Sequence, residues 1–396
     1  MSRLREEVFI VEPLRTPIGK FGGSLASESA VQLGTFITRE VIARSGVDST
    51  AVDELIFGHA RQAGAGPNPA RQICVRSGLP ETVPAYTVNQ ACASGMRSIW
   101  SGADQIRLGE ASLVLAGGTE SMSNTPYMVP RVRWGLRMGD AELVDGMTRD
   151  GFMCPLADQM MGATAENLAD RYSISRDEQD AWAVESQRKA GVAWDAGAFD
   201  AEVVPYVIET KKGSETFARD EHMRPDATIE GMKKLPPVFR KDGTVHAGNS
   251  SGITDGAAAM LLASGEAVKA HGLRPAARIV GYAQAGVDPK VMGIGPVPAT
   301  RSLLAELGMT LGDIDLVELN EAFAAQVIAC DRELGFDRDR LNMNGGSIAL
   351  GHPIGCSGSR IVTTLVRALQ RRDKAVGLAT LCVSGGMGMS IVVERV

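Results

Sequence analysis

The sequence predicts an α/β protein in which one folding unit is used twice, and three observations predict it. Short runs rich in Val, Ile, Leu and Ala alternate with stretches of helical period, the pattern of strands and helices stacked in layers. The order of these elements near the start of the chain recurs near its end. Between the last two strands of the first unit lies a long segment richer in Met, Trp, Pro and charge, which reads as an insertion.

In chain order, VFIVE (8–12) reads as a buried strand, residues 30–45 as a helix, and DELIFG (53–58) as a second strand. Residues 67–78 read as a helix, AYTVN (85–89) as a strand, SGMRSIWSGADQIRL (94–108) as a helix, and SLVLAGG (112–118) as a strand. The later part repeats the order. ARIVGY (277–282) is strand-like, TRSLLAELG (300–308) helical and DLVELN (315–320) strand-like. EAFAAQVIACDREL (321–334) is helical, LNMN (341–344) takes the place of a strand, SGSRIVTTLVRALQRR (357–372) is helical, and KAVGLATLCV (374–383) is strand-like. SGMR (94–97) and SGSR (357–360) open corresponding helices.

Met96, Ile99, Trp100 and Ala103 share one face of the earlier helix, and Ile361, Val362, Leu365, Val366 and Leu369 share one face of the later, so each reads as an amphipathic helix on a sheet. GMGMSIVVERV (386–396) is a closing strand whose counterpart, DGAAAMLLAS (255–264), lies far downstream of SLVLAGG. The expected division is therefore a first half of residues 1–119 and 251–272, an inserted lobe of residues 120–250 with a helix at 176–193, and a second half of residues 273–396.

Composition narrows the function. With 396 residues, 44% of them hydrophobic, the chain can bury more than one core, and 22% charged residues fit a soluble protein. A net charge of −6, from 41 basic and 47 acidic residues, argues against a nucleic-acid partner. No apolar run approaches the ~20 residues of a membrane span, and MSRLREEVFIVEPLR has no long apolar core of a secretion signal. The terminal ERV is not a peroxisomal address. Six cysteines in so long a chain read as reduced thiols, so a cytoplasmic location is expected. No C-x-x-C and no His spacing suggests a metal site.

Three Gly-rich segments follow strand ends, where ligands sit in α/β sheets: NQACASG (89–95), GGSIALGHPIGCSG (345–358) and CVSGGMG (382–388); NEAFA (320–324) follows a fourth. Cys92 precedes a helix start, where free amides and the helix dipole lower a thiol pKa and could also serve an oxyanion; the alternative is a small buried thiol at a crowded turn. His352 in GHPIG is a proton acceptor or an oxyanion donor, or a solvated loop residue. Cys382 could share the cleft of Cys92 or simply fill its strand, and Asn320 could hold a water or cap the following helix. Cys74, Cys154, Cys330 and Cys356 read as structural. GNSSG (248–252) matches G-x-S-x-G but leads into a strand rather than a helix, which removes Ser250 as a hydrolase nucleophile. RTPIGKFGG (15–23) and GAGPNPA (64–70) fall short of nucleotide-binding fingerprints.

NQACASGMRS, NEAFAAQ, NGGSIALGHPIGCSG and LCVSGGMG, in this order, resemble the four signature blocks of the thiolases, acetyl-CoA C-acyltransferases. The resemblance spans essentially the whole chain, including RTPIGKFGG, GGTESMS, MGATAENLA, AGNSSGITDGAAA and MGIGPVPAT. It implies two βαβαβαββ halves in five αβαβα layers with a loop domain inserted in the first. It implies ping-pong acyl transfer between CoA thioesters, with CoA and acyl-CoA as substrates and no cofactor, by a homodimer or homotetramer. Cys92 matches the nucleophile that carries the acyl group, and Cys382 the residue that moves the α-proton. His352 and a water on Asn320 match an oxyanion hole for the enolate, His352 also matching the activator of Cys92. The backbone amides of Cys92 and Ser384 match a second hole. Arg224 and Ser251 match CoA contacts, and Met161, Met292 and Phe323 apolar lining. Two departures stand out: Ser384 where the family often has Gly, and Met160 where short-chain biosynthetic members often carry a histidine, which weakens the case for acetoacetyl-CoA as preferred substrate. A decarboxylating ketoacyl synthase would pair its cysteine with two histidines, and Cys382 in place of the second argues against it. A silent acyl-CoA-binding protein would not need all four reactive residue types.

Overall fold

The computed structural model describes residues 6–211 and 213–396, so the reading of the amino terminus over residues 1–5 lies outside the described residues. The first half runs β1 (Val8–Arg15), α1 (Ala30–Ser45), β2 (Glu54–Gly58), α2 (Pro69–Arg76), β3 (Ala85–Val88), α3 (Ser94–Leu108) and β4 (Leu113–Ser121). After an intervening segment that carries α4 (Met161–Arg171) and α5 (Arg176–Asp195), the chain returns as β5 (Thr254–Ser264). The second half runs β6 (Pro275–Gly286), α6 (Pro296–Leu307), β7 (Leu316–Leu319), α7 (Ala324–Leu334), α8 (Ile354–Arg372), β8 (Val376–Val383) and β9 (Met387–Arg395). Local chemistry sets these limits. The Ser29 hydroxyl accepts from Gln32 N–H, Gln32 Oε1 accepts from Ser29 N–H, and left-handed Gly46 stops the helix, which confines α1 between them.

The strands join in the order β7-β8-β9-β6-β1-β5-β4-β2-β3, so the two halves meet edge to edge where β6 pairs antiparallel with β1. On either side of that seam the order repeats. The first three strands from the seam pair antiparallel (β1–β5–β4 and β6–β9–β8), and the outer neighbours are parallel (β4–β2–β3 and β8–β7). The expected strand at LNMN does not form. Leu341 makes one bridge to Val317, and Asn342, at φ 45°, accepts from Leu319 N–H and donates to Leu319 C=O at 2.9 Å each. A side-chain amide thus takes the place of a strand ladder.

Side-chain alternation along the strands produces the layers. Leu55, Phe57, Leu113 and Leu115 pack outward with Ile37, Val41 and Ile73 of α1 and α2, whereas Ile56, Val114 and Ala116 face inward onto Met96, Ile99 and Ala103 of α3. The same inner core includes Ile361, Val362 and Leu365 of α8 and Ala379, Leu381, Ile391 and Val393 of the second half. Val317, Leu319, Leu378 and Val392 pack outward with Val297, Leu303, Leu304 and Val327 of α6 and α7. The result is five αβαβα layers with α3 and α8 in the middle. Each fully buried Leu or Ile contributes roughly 1.5–3 kcal/mol, so this inner layer is the main cohesive term between the halves.

The apolar face expected of α8 is buried in the inner core, but the expectation that the helix lies on one sheet is corrected. Every residue from Ile354 to Val366 is buried, because the second half covers one side and the first half the other. Both its serine hydroxyls survive burial by bonding within the molecule: Ser357 to Pro353 C=O at 2.9 Å and Ser359 to Cys356 C=O at 2.8 Å. Glycine sets the distance between the central helices. A Cβ on Gly358 would lie 2.3 Å from Met96 N, and one on Gly95 would lie 2.7 Å from Ser359 N. The shared S-G-x-R of the two helix starts is therefore a packing signature. Among the described residues, no helix is long and apolar enough to cross a membrane.

Gly358→Ala forces two helix backbones apart, and the expected outcome is a loss of about 1–3 kcal/mol in stability, read as a lower denaturation midpoint in urea or heat. A midpoint equal to wild type would show that the crossing is not close-packed.

Candidate active site

Cys92 sits in a 3₁₀ turn, Ala91–Ala93, directly before α3. The turn is strained: Ala91 has φ 46°, a conformation unfavourable for a residue with a Cβ. Three hydrogen bonds hold it, from Ala91 N–H to Asn89 Oδ1 at 2.9 Å, from Ser94 Oγ to Ala91 C=O at 2.7 Å, and from Gln90 N–H to Ser94 Oγ at 2.9 Å. No side chain caps α3, and the backbone takes over at its start, where Ser94 N–H bonds Ala91 C=O.

The backbone N–H groups of Ser384 and of Cys92 itself, with the Arg61 cation, favour the thiolate of Cys92. These groups do not win. Burial is the largest influence and pushes the thiol above its ordinary value of 9.0, with the negative Glu120 adding to the rise. The expectation that the helix start lowers this pKa is thus corrected: desolvation of a thiolate outweighs the amides. Cys92 is half-buried, whereas Cys382, at the end of β8, is fully buried, and both burial and Cys92 push its thiol well up. Ser384 keeps a negative φ, while Gly385 and Gly386 take the left-handed conformations at φ 89° and 86°. A side chain at position 384 therefore imposes no backbone strain.

His352 lies just before α8, with its backbone N–H on Gly252 C=O at 3.0 Å. Its Nδ1 is 2.5 Å from Ser357 Oγ, and its Nε2 is buried with no hydrogen-bond partner. Burial first, and then the Arg360 and Arg61 charges, push the imidazole down to about 3, so it is neutral at physiological pH. Asn320, at the end of β7, is fully buried; its Oδ1 accepts from Ser347 Oγ at 2.6 Å, and its Nδ2 has no partner. Two unpartnered buried nitrogens are expensive features, and such groups mark places where something else is meant to bind.

The surrounding segments lock these groups in place. Residues 249–252 bond Ala324 N–H through Asn249 C=O at 2.9 Å, Ala322 C=O through Ser251 N–H at 3.0 Å, and His352 through Gly252. Glu120, fully buried, accepts from Gly355 N–H at 2.8 Å, Ala60 N–H at 3.2 Å and Arg61 N–H at 3.1 Å, and sits 3.0 Å from His59 Nε2. Burial alone would raise its pKa, but His59, Arg61 and Gly355 N–H hold it below the usual carboxylate value. Glu321 ties the inserted segment to the site by accepting from Trp182 at 3.0 Å, Ser186 at 2.7 Å and Asn342 at 3.0 Å.

A cleft of about 860 Å³ opens beside these loops, lined by apolar Phe152, Met160, Met161 and Phe323, by Ser251, and by basic Lys20, His222 and Arg224. Of the residues expected to contact CoA, Arg224, Ser251, Met161 and Phe323 are on its wall. Met292 is not. It is 4% exposed and packs with Met161, Phe323 and Cys382 in a buried cluster, because the Pro289–Ile294 turn carries it beneath the wall. Glu120, Ser347, Phe152 and Arg360 were not singled out by sequence reasoning. All but Phe152 lie in or beside a recognisable Gly-rich block, but their importance comes from contacts across the two halves.

Comparison with known proteins adds identity to this geometry. Residues 8–266 match the family described as thiolase, N-terminal domain, and residues 273–395 match thiolase, C-terminal domain. The chain is 51% identical over 387 residues to an acetyl-CoA acetyltransferase of Escherichia coli K12, covering 98% of both chains. It is 50% identical over 391 residues to one of Pseudomonas aeruginosa, covering 98% of this chain and 100% of that one. A crystal structure of human mitochondrial 3-ketoacyl-CoA thiolase superposes with a TM-score of 0.97 at 45% identity, covering 99% of this chain and 100% of that chain. One of Bacillus anthracis acetyl-CoA acetyltransferase gives 0.97 at 45%, covering all of both.

The enclosed Cys92 thiol stays protonated below its raised pKa, so its labelling by iodoacetamide, followed by peptide mass spectrometry, is expected to rise about tenfold per pH unit from about pH 6 to 9 without levelling off. A plateau near pH 7 would mean a resting thiolate.

Proposed function

The chain belongs to the thiolase family and is an acyltransferase acting on CoA thioesters, and on that premise we propose how its residues divide the work. Cys92 attacks the thioester carbonyl of an acyl-CoA, the carbon–sulfur bond to CoA breaks, and the acyl group stays on Cys92 as a thioester. Thioester for thioester is nearly isoenergetic, which keeps transfer reversible. The thiol starts protonated, and neutral His352 takes its proton through Nε2. Ser357 helps here: its single hydroxyl proton can point to Pro353 C=O or to His352 Nδ1, so Nε2 serves as acceptor in one tautomer and donor in the other.

The departing CoA sulfur takes the Cys382 thiol proton and leaves as CoA-SH, and in the second half-reaction the resulting Cys382 thiolate takes a proton from the α-carbon of a bound acetyl-CoA. The enolate oxygen is held by His352 Nε2–H and by a water on Asn320 Nδ2. The enolate carbon attacks the acyl-Cys92 carbonyl, whose oxygen is met by the Cys92 and Ser384 amides; collapse expels the Cys92 sulfur, which takes its proton back from His352, and leaves a 3-ketoacyl-CoA. Thiolysis is the same path reversed. Arg224, Ser251, Met161 and Phe323 hold CoA along the cleft. The observation that carries this reading is the pair of buried, unpartnered nitrogens, His352 Nε2 and Asn320 Nδ2. A donor lost from such a hole costs about 2.7–4 kcal/mol, and positioning two thioesters contributes roughly 7–11 kcal/mol.

Assembly as a homodimer or homotetramer in the cytoplasm belongs to the same reading. Trp134 and Met138 in the inserted segment are 84% and 99% exposed, and Tyr127, Leu136 and Leu143 are exposed beside them, an apolar surface suited to a second copy.

Intact-mass and peptide mass spectrometry after acetyl-CoA treatment should find one acetyl group, on Cys92. Cys382→Ala should still acetylate while exchanging the α-protons of acetyl-CoA with D2O at least about 100-fold more slowly. An adduct elsewhere, or normal exchange in that variant, would overturn the assignment.

A further inference from the structure

Beneath Asn320 runs a chain of donors whose direction is fixed by chemistry. Arg360 of α8, 1% exposed, donates through Nη2 to Ser347 Oγ at 2.8 Å, and Ser347 Oγ is 2.6 Å from Asn320 Oδ1. A guanidinium has donors only. The one hydroxyl proton of Ser347 therefore cannot go back to Arg360, and it goes to the Asn320 oxygen. Turning the Asn320 amide over would leave that proton without an acceptor. The amide is held with its oxygen toward Ser347 and Nδ2 toward the site, where no protein group meets it.

The arginine itself is kept for this contact at a cost. Its Nε and Nη1 have no hydrogen-bond partners, and the nearest carboxylate, Glu318, lies 3.7 Å from Nη1. Burial raises the Glu318 carboxyl to about 8, and so loose a contact with it adds little stability. The Arg360 charge is also felt at His352, the other nitrogen of the pair. The position follows from the fold: Arg360 ends the S-G-x-R of α8, Ser347 precedes the GHP loop, and Asn320 ends β7, so the chain crosses three elements of the second half.

We propose that Ser347 and Arg360 are positioning residues that fix the orientation of the Asn320 amide, and that they serve the enolate half-reaction rather than acyl transfer to Cys92. This rests on the roles assigned above to Asn320 and Cys92.

The test compares two rates in one protein: acetylation of Cys92 by acetyl-CoA, read by mass, and exchange of acetyl-CoA α-protons with D2O, read by NMR. Removal of a hole donor costs 10²–10³-fold, so a misaimed one in Ser347→Ala should slow exchange by at least about tenfold, with acetylation within about threefold of wild type. In an Asn320→Ala background, Ser347→Ala should change exchange by no more than about twofold, since its effect runs through that amide. Ser347→Thr, which keeps the hydroxyl, should restore most of the exchange, and Arg360→Met should behave like Ser347→Ala. An exchange-to-acetylation ratio in Ser347→Ala within threefold of wild type overturns the proposal, and so does a full additional loss in the Asn320→Ala background. Wild-type protein that never acetylates Cys92 would instead overturn the functional reading on which the proposal stands.

Discussion

The close crossing of α3 and α8 is the constraint on which the rest of the molecule depends. Glycine at 95 and 358 lets each helix start lie against the backbone of the other, with room for no Cβ on either side. Gly118 of β4 makes the same demand, since a Cβ there would lie 2.2 Å from Gly355 C=O. Once the helices cross at this distance, the turn before α3 and the loop before α8 share one end of the middle layer. That brings Cys92, from the first half, beside His352 and Cys382, from the second. Glu120 then fastens the joint, one carboxylate spanning backbone amides of both halves.

The site stores cost that the layers around it offset. Ala91 is strained, the Cys92 and Cys382 thiols are raised by burial, His352 is held neutral, and Asn320 and His352 each leave a buried nitrogen unpaired. The strained Ala91 and the two unpaired buried nitrogens each cost on the order of 1–3 kcal/mol, the kind of cost that preorganises a reaction. They persist because rigid elements surround them: the uninterrupted core of the middle layer and the hydrogen-bonded 249–252 loop leave these groups nowhere to relax. Local rules fail here, and this is where function is expected.

Much of the fold was legible in the sequence because repeated patterns encode it. Strand and helix positions in both halves follow from apolar period, and Ser29, Gln32 and Gly46 mark the ends of α1. LNMN misled because its residues suit a strand locally while the Asn342 side chain takes over the backbone bonds. The surroundings of α8 were also illegible, since its polar residues suit a solvent face, whereas Ser357 and Ser359 bond within their own helix and Thr364 bonds Glu202 across the core. At the site, the blocks named the reactive residues but not their electrostatics. A helix start argues for a lowered Cys92 pKa, yet enclosure by the opposite half reverses the sign. Met292 looked like wall and is floor, a distinction of depth that no spacing carries. Ser347 and Arg360 lie thirteen residues apart on different elements, and only the folded chain connects them to Asn320.

The central claim is that the two unpartnered nitrogens of the second half converge on one thioester oxygen above the two thiols. The most direct measurement is a crystal structure of the Cys92→Ala protein with acetyl-CoA bound, at a resolution that shows ordered water. The expected result is a thioester oxygen about 2.7–3.1 Å from His352 Nε2 and from a water held by Asn320 Nδ2, with the acetyl carbon beside the Cys382 sulfur. A thioester oxygen directed away from both nitrogens, with neither contacted by substrate or water, would contradict the account.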